Sequence, residues 1–203
     1  MFNASIRAAV LGACLSLVVA VFAANAGAHE SNGVQQVSWS ETPAAVAVVG
    51  DLPPPPAATS EIKFREFFKL PIGPRGLEPT AKLISLDGKR VRLLGYMVQQ
   101  EKPAVGAFIV APLPVSIGEE DESLSDDLPA SAVFVHLPSS KAMAVPYIPG
   151  LIKLTGELSV GAREEADGRV SAVRLQLDPE IAAAIAVTQE QLAASKKSLS
   201  QNR

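Results

Sequence analysis

The sequence predicts a mainly β protein: a small five- to six-stranded barrel of the OB type with a C-terminal helix, preceded by a signal peptide and a disordered tether. Three observations carry this expectation. Residues 81–98, AKLISLDGKRVRLLGYMV, read as two strands joined at Asp87-Gly88, a pair that suits a type I′ turn because both central positions take positive φ. Residues 151–160 alternate strictly, with Ile152, Leu154, Gly156, Leu158 and Val160 on one side and Lys153, Thr155, Glu157 and Ser159 on the other. Gly95 and Gly156 both fall on the apolar side of their strands, where a missing side chain relieves crowding and permits the tight bend of a small barrel. An open β-sandwich is the second architecture that fits. The alternation of strand and helix that marks a Rossmann sheet is missing.

At the N-terminus, residues 1–28 have the shape of an export signal. Arg7 is their one charge, residues 8–24 are apolar, and Ala26-Gly27-Ala28 supplies an Ala-x-Ala end, so cleavage would leave His29 first. Two alternatives compete with cleavage. The apolar run is near the shortest spanning length of about 17 residues, so it would also serve as a membrane anchor. Leu11-Gly12-Ala13-Cys14 resembles a lipobox that would lipidate Cys14. Cleavage after Ala28 predicts a periplasmic or secreted protein with no membrane insertion. It also removes the only cysteine, which excludes disulfides, thiolate metal sites and a cysteine nucleophile.

The overall 48% of hydrophobic residues is inflated by this leader. Without it the chain keeps 17 basic and 21 acidic side chains, a balance of −4. An acidic protein is a poor electrostatic partner for nucleic acid.

Residues 29–60 read as a tether rich in Ala, Val, Ser and Pro, with four consecutive prolines at 53–56 favouring extended polyproline II. Trp39 stands alone in it, either as a local packing contact or as an anchor for a docking partner. The barrel domain is expected over 61–188. In 61–69 (EIKFREFFK), Ile62, Phe64, Phe67 and Phe68 fit neither the helical nor the strand period cleanly. Residues 71–76 form a breaker-rich loop. The short apolar runs 107–112 and 132–137 predict buried strands. After Asp167-Gly168, residues 170–177 predict a strand with Val173, Leu175 and Leu177 inward. Asp178-Pro179 marks a helix start, with Ile181, Ile185 and Leu192 on one face. Residues 189–203 are a polar tail.

Among groups that carry chemistry, the densest is the acidic run 118–127. Glu119, Glu120, Asp121, Glu122, Asp126 and Asp127 are candidate ligands for a divalent cation, since calcium favours several carboxylate oxygens. The spacing is not that of an EF-hand, and a solvated loop is the plainer reading. His136 alternates with Phe134 and is expected on the outer side of its strand as a structural histidine. A freed His29 with His136 would form a copper-binding pair only if the tether folded back. Lys89, Arg90 and Arg92 make a small basic patch, read as ordinary surface charge. Tyr96, Phe108 and Phe134 are expected in the core rather than as a stacking platform. No Gly-x-Ser-x-Gly elbow, phosphate-binding glycine loop or HExxH occurs. The expectation is therefore a protein that is not an enzyme and holds no resident cofactor.

Residues 86–98 (Leu86-Asp87-Gly88-Lys89-Arg90-Val91-Arg92-Leu93-Leu94-Gly95-Tyr96-Met97-Val98), followed by Phe108-Ile109-Val110-Ala111-Pro112, resemble a family of small exported bacterial proteins of unknown function. The likeness covers roughly residues 80–160. Its pattern is Leu-x-Gly-x-x-Val-x-x-x-Gly-(Phe/Tyr)-Met-Val, then Phe-Leu-(Leu/Val)-x-Pro. The resemblance implies an OB-like exported or lipid-anchored protein, some relatives being encoded beside ABC-type transporter components linked to metal handling. It thus implies an accessory or binding role with another envelope protein as partner. Family members often carry a Cys-x-His pair after the second motif. Here Leu113-Pro114-Val115-Ser116 stands in that place, which puts any transition-metal role in doubt.

Overall fold

The computed structural model describes residues 42–74, 76–118, 128–139 and 143–187, with 190 and 194 besides. Its strands are β1 (Ser60–Glu61), β2 (Arg90–Met97), β3 (Gln99–Gln100), β4 (Ala107–Ala111), β5 (Ser116–Ile117), β6 (Val133–His136), β7 (Leu151–Glu164) and β8 (Val170–Leu177). A short helix, α1 (Ala81–Ser85), precedes β2, and α2 occupies 179–187 after β8. The chain is mainly β, with one six-stranded sheet and a C-terminal helix.

Period-two patterning builds the main strands as expected. Val91, Leu93 and Met97 of β2 turn inward, as do Phe108 and Val110 of β4, Val133 and Val135 of β6, and Val173, Leu175 and Leu177 of β8. With Ile152, Leu154 and Leu158 of β7 they form one apolar core. The pairings run β2–β4–β6–β8–β7 and then from β7 back to β2, so these five strands form a closed ring; β1 adds to the edge of β2. All the ring pairs are antiparallel except β6 with β8, which is parallel. The ring is staggered. From Met97 the register leads through Val110, Val133 and Val173 to Val160. Across the β2–β7 ladder, Tyr96 instead faces Leu151, which sets Met97 against Gly150. Closing the ring therefore shifts the register from 150 to 160, by ten residues.

Gly156 sits where β7 changes partner. It faces Val91 of β2 on one side and Leu177 of β8 on the other. A Cβ here would lie 2.2 Å from the carbonyl oxygen of Gln176, so only glycine lets the two backbones approach. Gly95 is similarly confined: a Cβ would meet Val110 at 2.5 Å and Phe64 at 2.7 Å.

One expected strand is a helix. Residues 81–85, read as the first arm of a hairpin, form α1. The Thr80 hydroxyl caps it by accepting the Leu83 amide at 3.1 Å and itself donates to the Glu66 carbonyl. Leu83 and Leu86, three apart, are buried while Ile84 between them is 56% exposed, a helical spacing rather than an alternating one. Only Gly88 of the Asp87-Gly88 pair has positive φ, so the turn is not type I′. Asp87 instead accepts the Val160 amide at 2.9 Å, which fastens the turn to β7.

Residues 61–69 resolve their mixed period by being neither template. β1 leads into a 3-10 turn at Phe64–Glu66, which delivers the buried Ile62 and Phe67 to the core from separate backbone conformations. Within the segment read as a tether, residues 42–60 pack on the ring. Val46 is fully buried, its carbonyl accepts the Lys153 amide at 2.8 Å, and Ala47 bridges Ile152. The carbonyl of Pro53 accepts from the Arg92 guanidinium at 2.6 Å. Along α2, Ala182 and Ile185 join the core and Ile181 packs against it; residues 1–41 and Leu192 lie outside the described residues.

Candidate functional site

The outer side of the ring is divided in two. Over β4 and β6, Val98, Ile109, Ala111, Ala132 and Phe134 form a second apolar cluster, covered by Val115, Ile117 and Leu128 and by the small parallel sheet of β3 and β5. Beside it the outward positions turn polar: His136 on β6, Arg174 and Gln176 on β8, Ser159 and Arg163 on β7. These residues line a cleft of about 430 Å³, walled on one side by residues 104–107 and on the other by residues 163–167.

The second wall exists because β7 and β8 run on beyond the ring as a ribbon and bend. Between Val160 and Arg163 the register gains one residue on β7, a bulge, and Gly161 there has φ +128°. Arg174 holds the bend. Its guanidinium donates to the Gly161 carbonyl at 2.7 Å, to the Ser171 hydroxyl at 2.9 Å and to the Ser159 hydroxyl at 3.1 Å. With only 8% of Arg174 exposed, these bonds offset the cost of taking its charge out of water.

At the ribbon's tip Glu165 turns inward while Glu164, Ala166 and Asp167 face solvent. One carboxylate oxygen accepts from the Ser171 hydroxyl, and the other lies 3.1 Å from Nε2 of His136. That approach has ion-pair distance without hydrogen-bond alignment, and among the described residues the buried Nε2 has no hydrogen-bond partner. Gln176 fixes the backbone below by donating to the His136 carbonyl at 3.2 Å.

Of the residues singled out from the sequence, His136 brings its polar side chain to this cleft, on the outer side with Phe134 as its alternation predicts, and Phe108 and Phe134 contribute to the lining. Phe108 is in the main core and Phe134 in the outer cluster, so neither offers a free ring for stacking. Arg90 is paired with Asp178 at 2.6 Å, which raises its pKa further above the ordinary value. Arg92 is 4% exposed and donates to Glu61 and Pro53, so it is an internal tie. The candidate cation ligands Glu119, Glu120, Asp121, Glu122, Asp126 and Asp127, together with Trp39 and His29, lie outside the described residues. Among the described residues no three His, Cys, Asp or Glu side chains are grouped to hold a metal ion, and no helix is long and apolar enough to cross a membrane.

Glu165, Ser171, Arg174 and Gln176 carry the cleft and escape sequence reading. The one signal available is that Arg174 and Gln176 occupy the polar side of an alternating strand.

No family model and no curated protein matches the chain. Its fold is similar to the crystal structure of a DUF3299 family protein from Pseudomonas aeruginosa, at 14% identity and a TM-score of 0.39, over 60% of this chain and 93% of that one.

Proposed function

We propose that the chain is a non-catalytic binding module built on an OB-like barrel, and that the cleft at His136 is its binding site. The observation that carries this reading is the cleft itself: polar side chains converge on it from three strands, and Arg174 and Gln176 are held in place by hydrogen bonds to their surroundings. Fixed polar groups in a concave site give a ligand orientation at low entropic cost. Support for the OB-like architecture comes from strand order. Numbering the ring strands along the chain, the pairings run first, second, third, fifth, fourth and back to first, with third and fifth parallel. A staggered register is also what closing a small barrel demands. OB-type barrels use the outer face of the second and third strands and the loops beside it for ligands, and β4, β6 and the two cleft walls occupy that place here; this part is analogy from fold.

The export signal and the family resemblance support a place in the bacterial envelope and a partner among envelope proteins, such as a transporter component. Ala107 lines the cleft and is half-buried on its outer side, so Ala107→Trp fills the cleft without entering the core. In affinity capture from an envelope extract of the native host, the wild type is expected to retain a partner that this variant loses at unchanged melting temperature. Recovery of the same proteins by both would overturn the reading.

A further inference from the structure

Resting on that reading of the cleft, we propose that its inner end is a receptor for an oxyanion group, a carboxylate or a phosphate, which Glu165 of the same chain occupies until a ligand takes its place. The surroundings of the Glu165 carboxylate are those of a bound anion. The Ser171 hydroxyl donates to one oxygen and is itself polarised by the Arg174 guanidinium, which donates into it at 2.9 Å. Chains of this kind strengthen the bond to the terminal acceptor. Nε2 of His136 faces the second oxygen at 3.1 Å. The other charged groups of the cleft are Arg163, Glu164 and Asp167. Asp167 is neutralised by Arg169 at 2.9 Å, and Arg163, on the lip, makes no side-chain bond among the described residues.

The donors belong to strands, whereas the acceptor belongs to the ribbon's turn. Arg174 and His136 lie in the β6–β8 ladder, and Ser171 stands on β8 at the base of the ribbon, opposite Arg163 and bonded to Arg174. Glu165 hangs on the short turn that closes at Arg169, with its side chain only 8% exposed amid exposed neighbours. A shift of that turn alone vacates the receptor and leaves its donors in place. An entering oxyanion would then meet the same hydroxyl and imidazole, with Arg163 at the entrance adding attraction. The turn's own carboxylate competes with it, so the apparent affinity is reduced by the fraction of time that Glu165 is seated.

The test is titration of the full-length protein with succinate and, separately, inorganic phosphate, read by isothermal titration calorimetry, which serves variants with and without His136 alike. Glu165→Ala and the better-packed Glu165→Gln are both expected to bind the preferred anion roughly tenfold tighter than wild type, as for a site seated nine-tenths of the time. Adding His136→Ala is expected to abolish that gain. The anion showing the larger gain identifies the ligand group. No gain in either Glu165 variant overturns the proposal. So does an equal gain in Glu164→Ala, which removes the same charge from the neighbouring residue and would expose a general charge effect. A flat titration in every variant, with the Ala107→Trp capture still discriminating, removes the oxyanion and leaves the cleft.

Discussion

At the scale of single residues, two glycines set how tightly the ring can close. At Gly156 the obstacle to a side chain is the Gln176 carbonyl carbon and oxygen, part of the β7–β8 ladder. At Gly95 two of the three nearest atoms belong to side chains, those of Val110 and Phe64, and the third is the Ala111 carbonyl oxygen at 2.9 Å. Side chains can change rotamer, whereas a ladder carbonyl moves only with its strand. Gly156→Ala is therefore expected to cost about 3 kcal/mol, the upper part of the range for overpacking, and Gly95→Ala clearly less. Urea denaturation of the two variants checks the order; a milder effect at Gly156 would show that β7 can bend elsewhere. Both glycines were legible beforehand because alternation alone puts them on the inner side. Arg174 is the opposite case. A charged residue on the polar side of a strand reads as solvated, and only the bent ribbon that returns over it makes it an internal tie.

At the scale of elements, the long strands follow from the sequence and the short pieces do not. β2, β7 and β8 have eight or more residues each, enough for a period of two to stand out. α1 has five residues, too few to separate the two periods, and its identity is decided by the Thr80 cap and the spacing of Leu83 and Leu86. Val46 offers no pattern that singles it out; Val48 and Val49 follow it among alanines, and its burial depends on the ring edge it meets. β1 is likewise invisible as a two-residue strand, yet it bears the Glu61–Arg92 pair that ties it to β2. The hydrogen bond from Arg92 is the main reason the Glu61 carboxyl is held below its ordinary value of 4.5, with burial opposing it. A lowered folded pKa means that the pair's stabilisation is complete above that ordinary value. It is lost as pH falls through the lower folded value. The melting temperature of wild type should exceed that of Glu61→Gln most above pH 4.5, and the gap should narrow below it. A gap independent of pH would show that the charge on Glu61 contributes nothing.

At the scale of the whole molecule, closure makes every ring strand interior. An open sheet in the order β2-β4-β6-β8-β7 would leave β2 and β7 as edges, and edge amides open locally at little cost. Here the Leu158 amide on β7 donates to Lys89 across the closing seam at 2.9 Å, and the Val98 amide after β2 donates to Ile109 at 2.8 Å. If the seam is as firm as the rest, both amides exchange only when the whole domain unfolds, and their exchange free energies coincide. The ribbon beyond the bulge has no such support. The Gly168 amide, bonded to Glu165 within the turn, is expected to exchange roughly a hundredfold faster or more, by opening of the tip alone. Native-state hydrogen exchange at low denaturant reads all three. Leu158 exchanging well below the free energy of Val98 would mean that the ring opens at β2–β7, and the cleft would then lack the rigid wall that its fixed donors require. Equal protection at the seam with a labile tip would locate the molecule's rigidity in the ring and its freedom in the segment carrying Glu165, the division of labour that a receptor with a displaceable internal ligand needs.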